Sequence, residues 1–147
     1  MEPTATGGPQ LPELSPQKLT ILTIDDAELV LEVFARRLAQ HGQEVLTALS
    51  GRKAIEVFQS RSVDVILCDL DMPDMDGWEV GRSIKDVCVS NTTAKPPFIL
   101  VTGAPPDRIT EGMMQECGVD AVISKPVDAK GLLEVINRVL GKHVTLG

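Results

Sequence analysis

The chain has 147 residues, 43% of them hydrophobic, which suits one ordinary domain with its own core. Its formal net charge of −7 and pI near 4.8 argue against direct binding to a nucleic-acid backbone or an anionic membrane surface. No apolar run reaches the length of a membrane span, and Met1 to Pro16 lacks the basic end and apolar stretch of a secretory signal, so a cytoplasmic location is expected.

Residues 1–18 hold Pro3, Pro9, Pro12, Pro16 and Gly7-Gly8 without any apolar period, the composition of a flexible tail. From Leu19 onward, short apolar runs alternate with helical repeats, which is the pattern of strand–helix–strand units and a parallel sheet. One domain is expected over residues 19–141, with 142–147 as a second tail. The first strand is Leu19 to Ile24. A helix then follows through Val30, Val33, Phe34 and Leu38 and stops at Gly42, which can close a helix in the left-handed conformation. Glu44 to Ala48 is the weakest strand signal, and Ser50 is the candidate N-cap of the next helix. Val63 to Cys68 forms the third strand. Asp76 with Glu79 three residues on predicts a capping box for the helix through Val80 and Ile84. Phe98 to Val101 and Ala121 to Ile123 are the last strands. Asp128 caps a final helix through Leu132, Val135, Ile136, Val139 and Leu140, which is expected to stop at Gly141. The fold class is α/β, a doubly wound parallel sheet with helices on both faces, and such sheets bind ligands beyond the carboxyl ends of their strands.

At those ends stand Asp25-Asp26, Asp69, Thr102-Gly103 and Ser124-Lys125-Pro126. Clustered carboxylates repel one another, and a cation resolves the conflict. Oxygen donors without His or Cys suit a hard ion such as Mg²⁺ rather than zinc, and that points to phosphoryl chemistry. The ion, Lys125, and the Thr102 hydroxyl with nearby backbone N–H groups can each neutralise one phosphoryl oxygen, while a carboxylate serves as nucleophile. Asp69, on the central strand, is the choice.

These residues resemble the receiver domains of two-component response regulators, including the stand-alone chemotaxis regulator. The motifs are Asp25-Asp26 after an apolar strand, Asp69 within Val65 to Pro73 followed by Met75-Asp76-Gly77, then Thr102, then Lys125-Pro126. The resemblance covers residues 19–140 and implies a flavodoxin-like sheet of order 2-1-3-4-5. It makes Asp69 the phosphoacceptor, Thr102 the switch hydroxyl and Lys125 the phosphate partner. Mg²⁺ or Mn²⁺ would be held by Asp26 directly, by Asp25 largely through water, by Asp69, and by the backbone carbonyl of Asp71. The implied partners are a histidine kinase or histidine phosphotransfer protein, a downstream protein or attached output domain, and a second copy meeting the face of the fourth helix, fifth strand and fifth helix. One departure concerns output. Val122 stands where the family usually has an aromatic ring, so the motion is expected in the loop from Gly103 to Asp107.

Each residue also has a plainer reading. Asp25 taken alone is a helix N-cap, Thr102 a turn cap, Lys125 a solvated lysine, and Asp74 and Asp76 loop or cap residues. The odd number of cysteines, Cys68, Cys88 and Cys117, suits small buried residues, with Cys68 pointing to the opposite face from Asp69. Met113 and Met114 suit helix packing, and His41 a helix C-terminus. Two alternative functions share the pattern. One is a pseudo-receiver that is never phosphorylated. The other is a haloacid dehalogenase-like phosphatase, suggested by Asp69-Leu70-Asp71 but opposed by the Met72-Pro73 that follows and the strands that precede it.

Overall fold

The computed structural model of the chain describes residues 18–103 and 109–145, with side chains described as far as Gly141. Most of the expected tail, residues 1–17, and most of the Gly103 to Asp107 loop lie outside the described residues. The elements run β1 (Thr20–Ile24), α1 (Glu28–Gln40), β2 (Glu44–Ala48), α2 (Gly51–Ser60), β3 (Val65–Asp69), α3 (Gly77–Asn91), β4 (Phe98–Thr102), α4 (Glu111–Cys117), β5 (Ala121–Ser124) and α5 (Ala129–Thr145). All strand pairs are parallel and the sheet order is β2-β1-β3-β4-β5, as expected. No described helix is long and apolar enough to cross a membrane.

Strand alternation divides the core into two layers. Leu22, Ile24, Ile66, Cys68, Phe98 and Leu100 face α2, α3 and α4, where Ala54, Val80, Ile84, Cys88 and Cys117 meet them. Ile21, Val65, Leu67, Ile99 and Val101 face α1 and α5, where Leu38, Leu132, Ile136 and Val139 close the second layer. β3 is buried along its whole length, whereas the weakly patterned β2 is a sheet edge and only Ala48 in it is buried. The three cysteines are free and buried, and Cys68 lies on the layer opposite Asp69.

The helix signals hold in part. Ser50 accepts from the Lys53 N–H, Asp76 and Glu79 form the capping box, and Asp128 accepts from the Gly131 N–H. Gly42 takes φ +88° just after α1. Two expectations are corrected. In α1 the buried residues are Leu31 and Leu38, while Val30 and Val33 are exposed, because the apolar stretch Leu29 to Leu31 is wider than one face and packing selects Leu31. α5 does not stop at Gly141 but continues to Thr145, since a glycine lowers helix propensity without forbidding the helical backbone.

Candidate functional site

β1 and β3 lie side by side at the middle of the sheet, so Asp25 and Asp69 reach the same rim. Both are buried, at 6% and 7% exposure, and Asp26 beside them is exposed. Oxygens of Asp25, Asp26 and Asp69 come within 4.8 Å of one another, the one such cluster among the described residues. Asp25 is not the N-cap of α1, which corrects the plainer reading. That place is taken by Ala27, without a side-chain cap, and Asp25 Oδ1 instead accepts from the Ala27 N–H at 2.9 Å. The carboxylate is thereby turned toward the rim rather than along the helix.

One glycine lets a loop close over this rim. A Cβ on Gly77 would lie 2.5 Å from Leu100 Cδ2 and 2.8 Å from the Asp69 carbonyl oxygen, so the start of α3 packs directly on the end of β3. The Gly77 N–H also donates to the Leu70 carbonyl at 2.9 Å. Across the site, the Lys125 N–H donates to the Thr102 carbonyl at 2.8 Å, which ties the chain leaving β5 to the end of β4. Lys125 Nζ then reaches 2.9 Å from Asp69 Oδ1 and 3.6 Å from Asp25 Oδ2. The Lys125–Pro126 peptide bond is cis.

Electrostatics follow from this packing. Burial pushes the Asp69 carboxyl above its ordinary value, Asp25 and Asp71 push the same way, and the Lys125 hydrogen bond only partly offsets them. Burial acts to lower the Lys125 ammonium, but Asp69 and Asp25 outweigh it and the group is held above its usual value. Burial raises the Cys68 thiol well above its usual value, so it is an inert neighbour rather than a nucleophile. Two buried carboxylates side by side, with the Asp69 carboxyl raised, make a site short of positive charge. The donor set, oxygens only with one partner exposed to solvent, fits a hard divalent ion that keeps part of its water shell.

The structure thus brings together Asp25, Asp26, Asp69 and Lys125. Thr102 is fully buried at the end of β4, with Asp69 paired to its neighbour Val101. Asp71 is exposed in the loop after β3. Val122 is half-buried and packs against the α2–α4 layer. Sequence reasoning missed an apolar groove beside the site. Leu29, Val30, Val33, Phe34, Arg37, Val127 and Asp128 line a space of about 400 Å³, which a second recess through Val30, Phe34 and Val127 joins to Lys125 and Pro126. Its signal was the surplus width of the Leu29 to Phe34 apolar run.

Comparison with known proteins agrees with this geometry. The family model described as response regulator receiver domain matches residues 21–137. The autoinducer 1 sensor kinase/phosphatase LuxN of Vibrio campbellii is 29% identical over 131 residues, which is 89% of this chain and 15% of that protein. Histidine kinase 3 of Arabidopsis thaliana is 31% identical over 135 residues, 80% of this chain and 13% of that protein, so the chain spans only a small part of such relatives. The chemotaxis response regulator CheY4 of Vibrio cholerae superposes with a TM-score of 0.72 at 27% identity, over 84% of this chain and 99% of that one.

Proposed function

The chain belongs to the response regulator receiver domain family, and on that premise we propose that Asp69 accepts a phosphoryl group from the phosphohistidine of a histidine kinase or histidine phosphotransfer protein. The observation that carries this reading is the grouping of Asp25, Asp26 and Asp69 oxygens within 4.8 Å, with Lys125 Nζ 2.9 Å from Asp69 Oδ1. A carboxylate oxygen of Asp69 attacks phosphorus, the new O–P bond forms, the P–N bond breaks, and its electron pair returns to the donor imidazole. Lys125 holds one phosphoryl oxygen, and the buried Thr102 hydroxyl turns toward another and serves as the switch. Asp25, Asp26, Asp69 and the Asp71 carbonyl would hold Mg²⁺ or Mn²⁺, which when bound supplies positive charge against the phosphoryl oxygens.

The donor is proposed to dock on the groove of α1. Leu29 is 75% exposed, and the groove's apolar wall with Arg37 at its edge suits an amphipathic helix carrying the donor histidine. The event passes to a partner, an attached domain or a second copy through α4, β5 and α5, where β5 is one edge of the sheet. Incubation with acetyl phosphate and Mg²⁺, followed by mass spectrometry, tests the assignment. One added phosphoryl group on Asp69 is expected, lost in Asp69→Asn and in excess chelator. Equal labelling of the Asn variant, or full-rate labelling without a divalent ion, overturns it.

A further inference from the structure

Thr23 Oγ1 is the one buried side-chain polar atom without a hydrogen-bond partner among the described residues, and the residue is only 4% exposed. Buried polar groups without partners are unfavourable, and native proteins commonly satisfy them with internal water. Position defines what this hydroxyl faces. Thr23 lies two residues before Asp25 on the same face of β1 and pairs with Leu67, itself two residues before Asp69. The hydroxyl therefore sits one step beneath both carboxylates. A cavity of about 10 Å³ lies at this level, lined by Thr23, Asp25, Asp69, Phe34, Val101 and Leu132 among others. That is close to the smallest space that admits one water, and its wall carries a hydroxyl and two carboxylates instead of hydrocarbon alone.

We infer that Thr23 holds an internal water against the inner side of the Asp25 and Asp69 pair, and is thereby a positioning residue for the site. The water accepts from the Thr23 hydroxyl and donates one hydrogen toward each carboxylate, three bonds in all. Two O–H donors between like charges reduce their repulsion, adding to the ammonium of Lys125. Positioning both carboxylates in this way matters to phosphorylation only if the proposed function holds, so the test includes two readouts, water density and melting, that do not pass through it.

A crystal structure of the metal-free protein should show a water within about 3.2 Å of Thr23 Oγ1 and of a carboxylate oxygen. Thr23→Val keeps the shape and removes the hydroxyl. It is expected to lose this water, to melt about 2–4 °C lower, and to bind Mg²⁺ several-fold more weakly by calorimetry. Thr23→Ser is expected to keep the water and the affinity. A dry cavity in the natural protein, or a Val variant that melts higher with unchanged Mg²⁺ affinity, overturns the inference. Should Mg²⁺ fail to bind the natural protein, the proposed function falls, while the water density and the melting shift still decide the role of Thr23.

Discussion

Lys125 Nζ stands 2.9 Å from Asp69 Oδ1 and 3.6 Å from Asp25 Oδ2, so one ammonium partly neutralises two buried carboxylates. Because Lys125 is about one-third exposed, solvent screening reduces the value of this pair to about 1 kcal/mol. Lys125→Ala is expected to lose that much in urea unfolding. It should still be labelled at Asp69 by acetyl phosphate, yet show a much smaller change in amide spectra with beryllofluoride. A full spectral response in the Ala variant would return Lys125 to the surface residues.

The raised Asp69 carboxyl has a definite sign in pH dependence. A folded-state pKa above the unfolded one means that protonation favours the fold, a contribution present below the unfolded value and lost as pH rises through the folded one. Asp69 ionised at neutral pH is therefore a liability for stability in the absence of metal. Asp69→Asn should melt a few degrees higher than the natural protein at neutral pH, with the difference shrinking as pH falls through the carboxylate range. Paired thermal melts over that range check this, and a difference that is absent or grows on acidification contradicts it.

Gly77 has no room for a methyl group, with Leu100 Cδ2 2.5 Å and the Asp69 carbonyl 2.8 Å from a built Cβ. Gly77→Ala should cost about 1–3 kcal/mol by overpacking. Since one of the crowded atoms belongs to Asp69, labelling by acetyl phosphate should also slow in the folded fraction. Chemical denaturation and a labelling time course measure the two effects separately, and a neutral substitution on both would show that α3 can draw back from β3.

The groove beside the site separates donor docking from chemistry. Leu29→Lys places a charge on its apolar wall at a residue that is 75% exposed. Transfer from a phosphohistidine donor should slow by about tenfold, corresponding to roughly 1.4 kcal/mol of lost contact. Labelling by acetyl phosphate should be unchanged. Equal slowing with both donors would mean that the variant disturbs the site itself.

Strand positions and the meeting of Asp25, Asp26, Asp69 and Lys125 were legible in the alternation of apolar runs and helical repeats, whereas the sheet order came with the family resemblance. A continuous apolar run such as Val65 to Cys68 reads as a central strand buried on both faces, and the rim residues follow from where strands end. What was not legible depended on choices among near-equal options. α1 offers Val30 and Leu31 side by side, and only contact with the sheet selects Leu31. Gly141 is a stop signal that a continuing helix can override. Asp25 has the chemistry of an N-cap, but its carboxylate is spent on the Ala27 N–H and the rim. The orphaned hydroxyl of Thr23 has no sequence signal at all, since threonine in a strand is ordinary.

At the opposite end of the sheet, side chains are bonded to strand-entry backbone. Gln43 accepts from the Leu19 N–H, Asp64 from the Thr20 N–H, and Asp120 from both the Phe98 N–H and Lys95. The strands thus enter from a braced floor, while their exits carry the cluster of Asp25, Asp26 and Asp69. If Asp69 is phosphorylated as proposed, the displacement is expected to spread sideways across the rim, where the Lys125 N–H ties the chain after β5 to the end of β4, rather than down the strands into that floor.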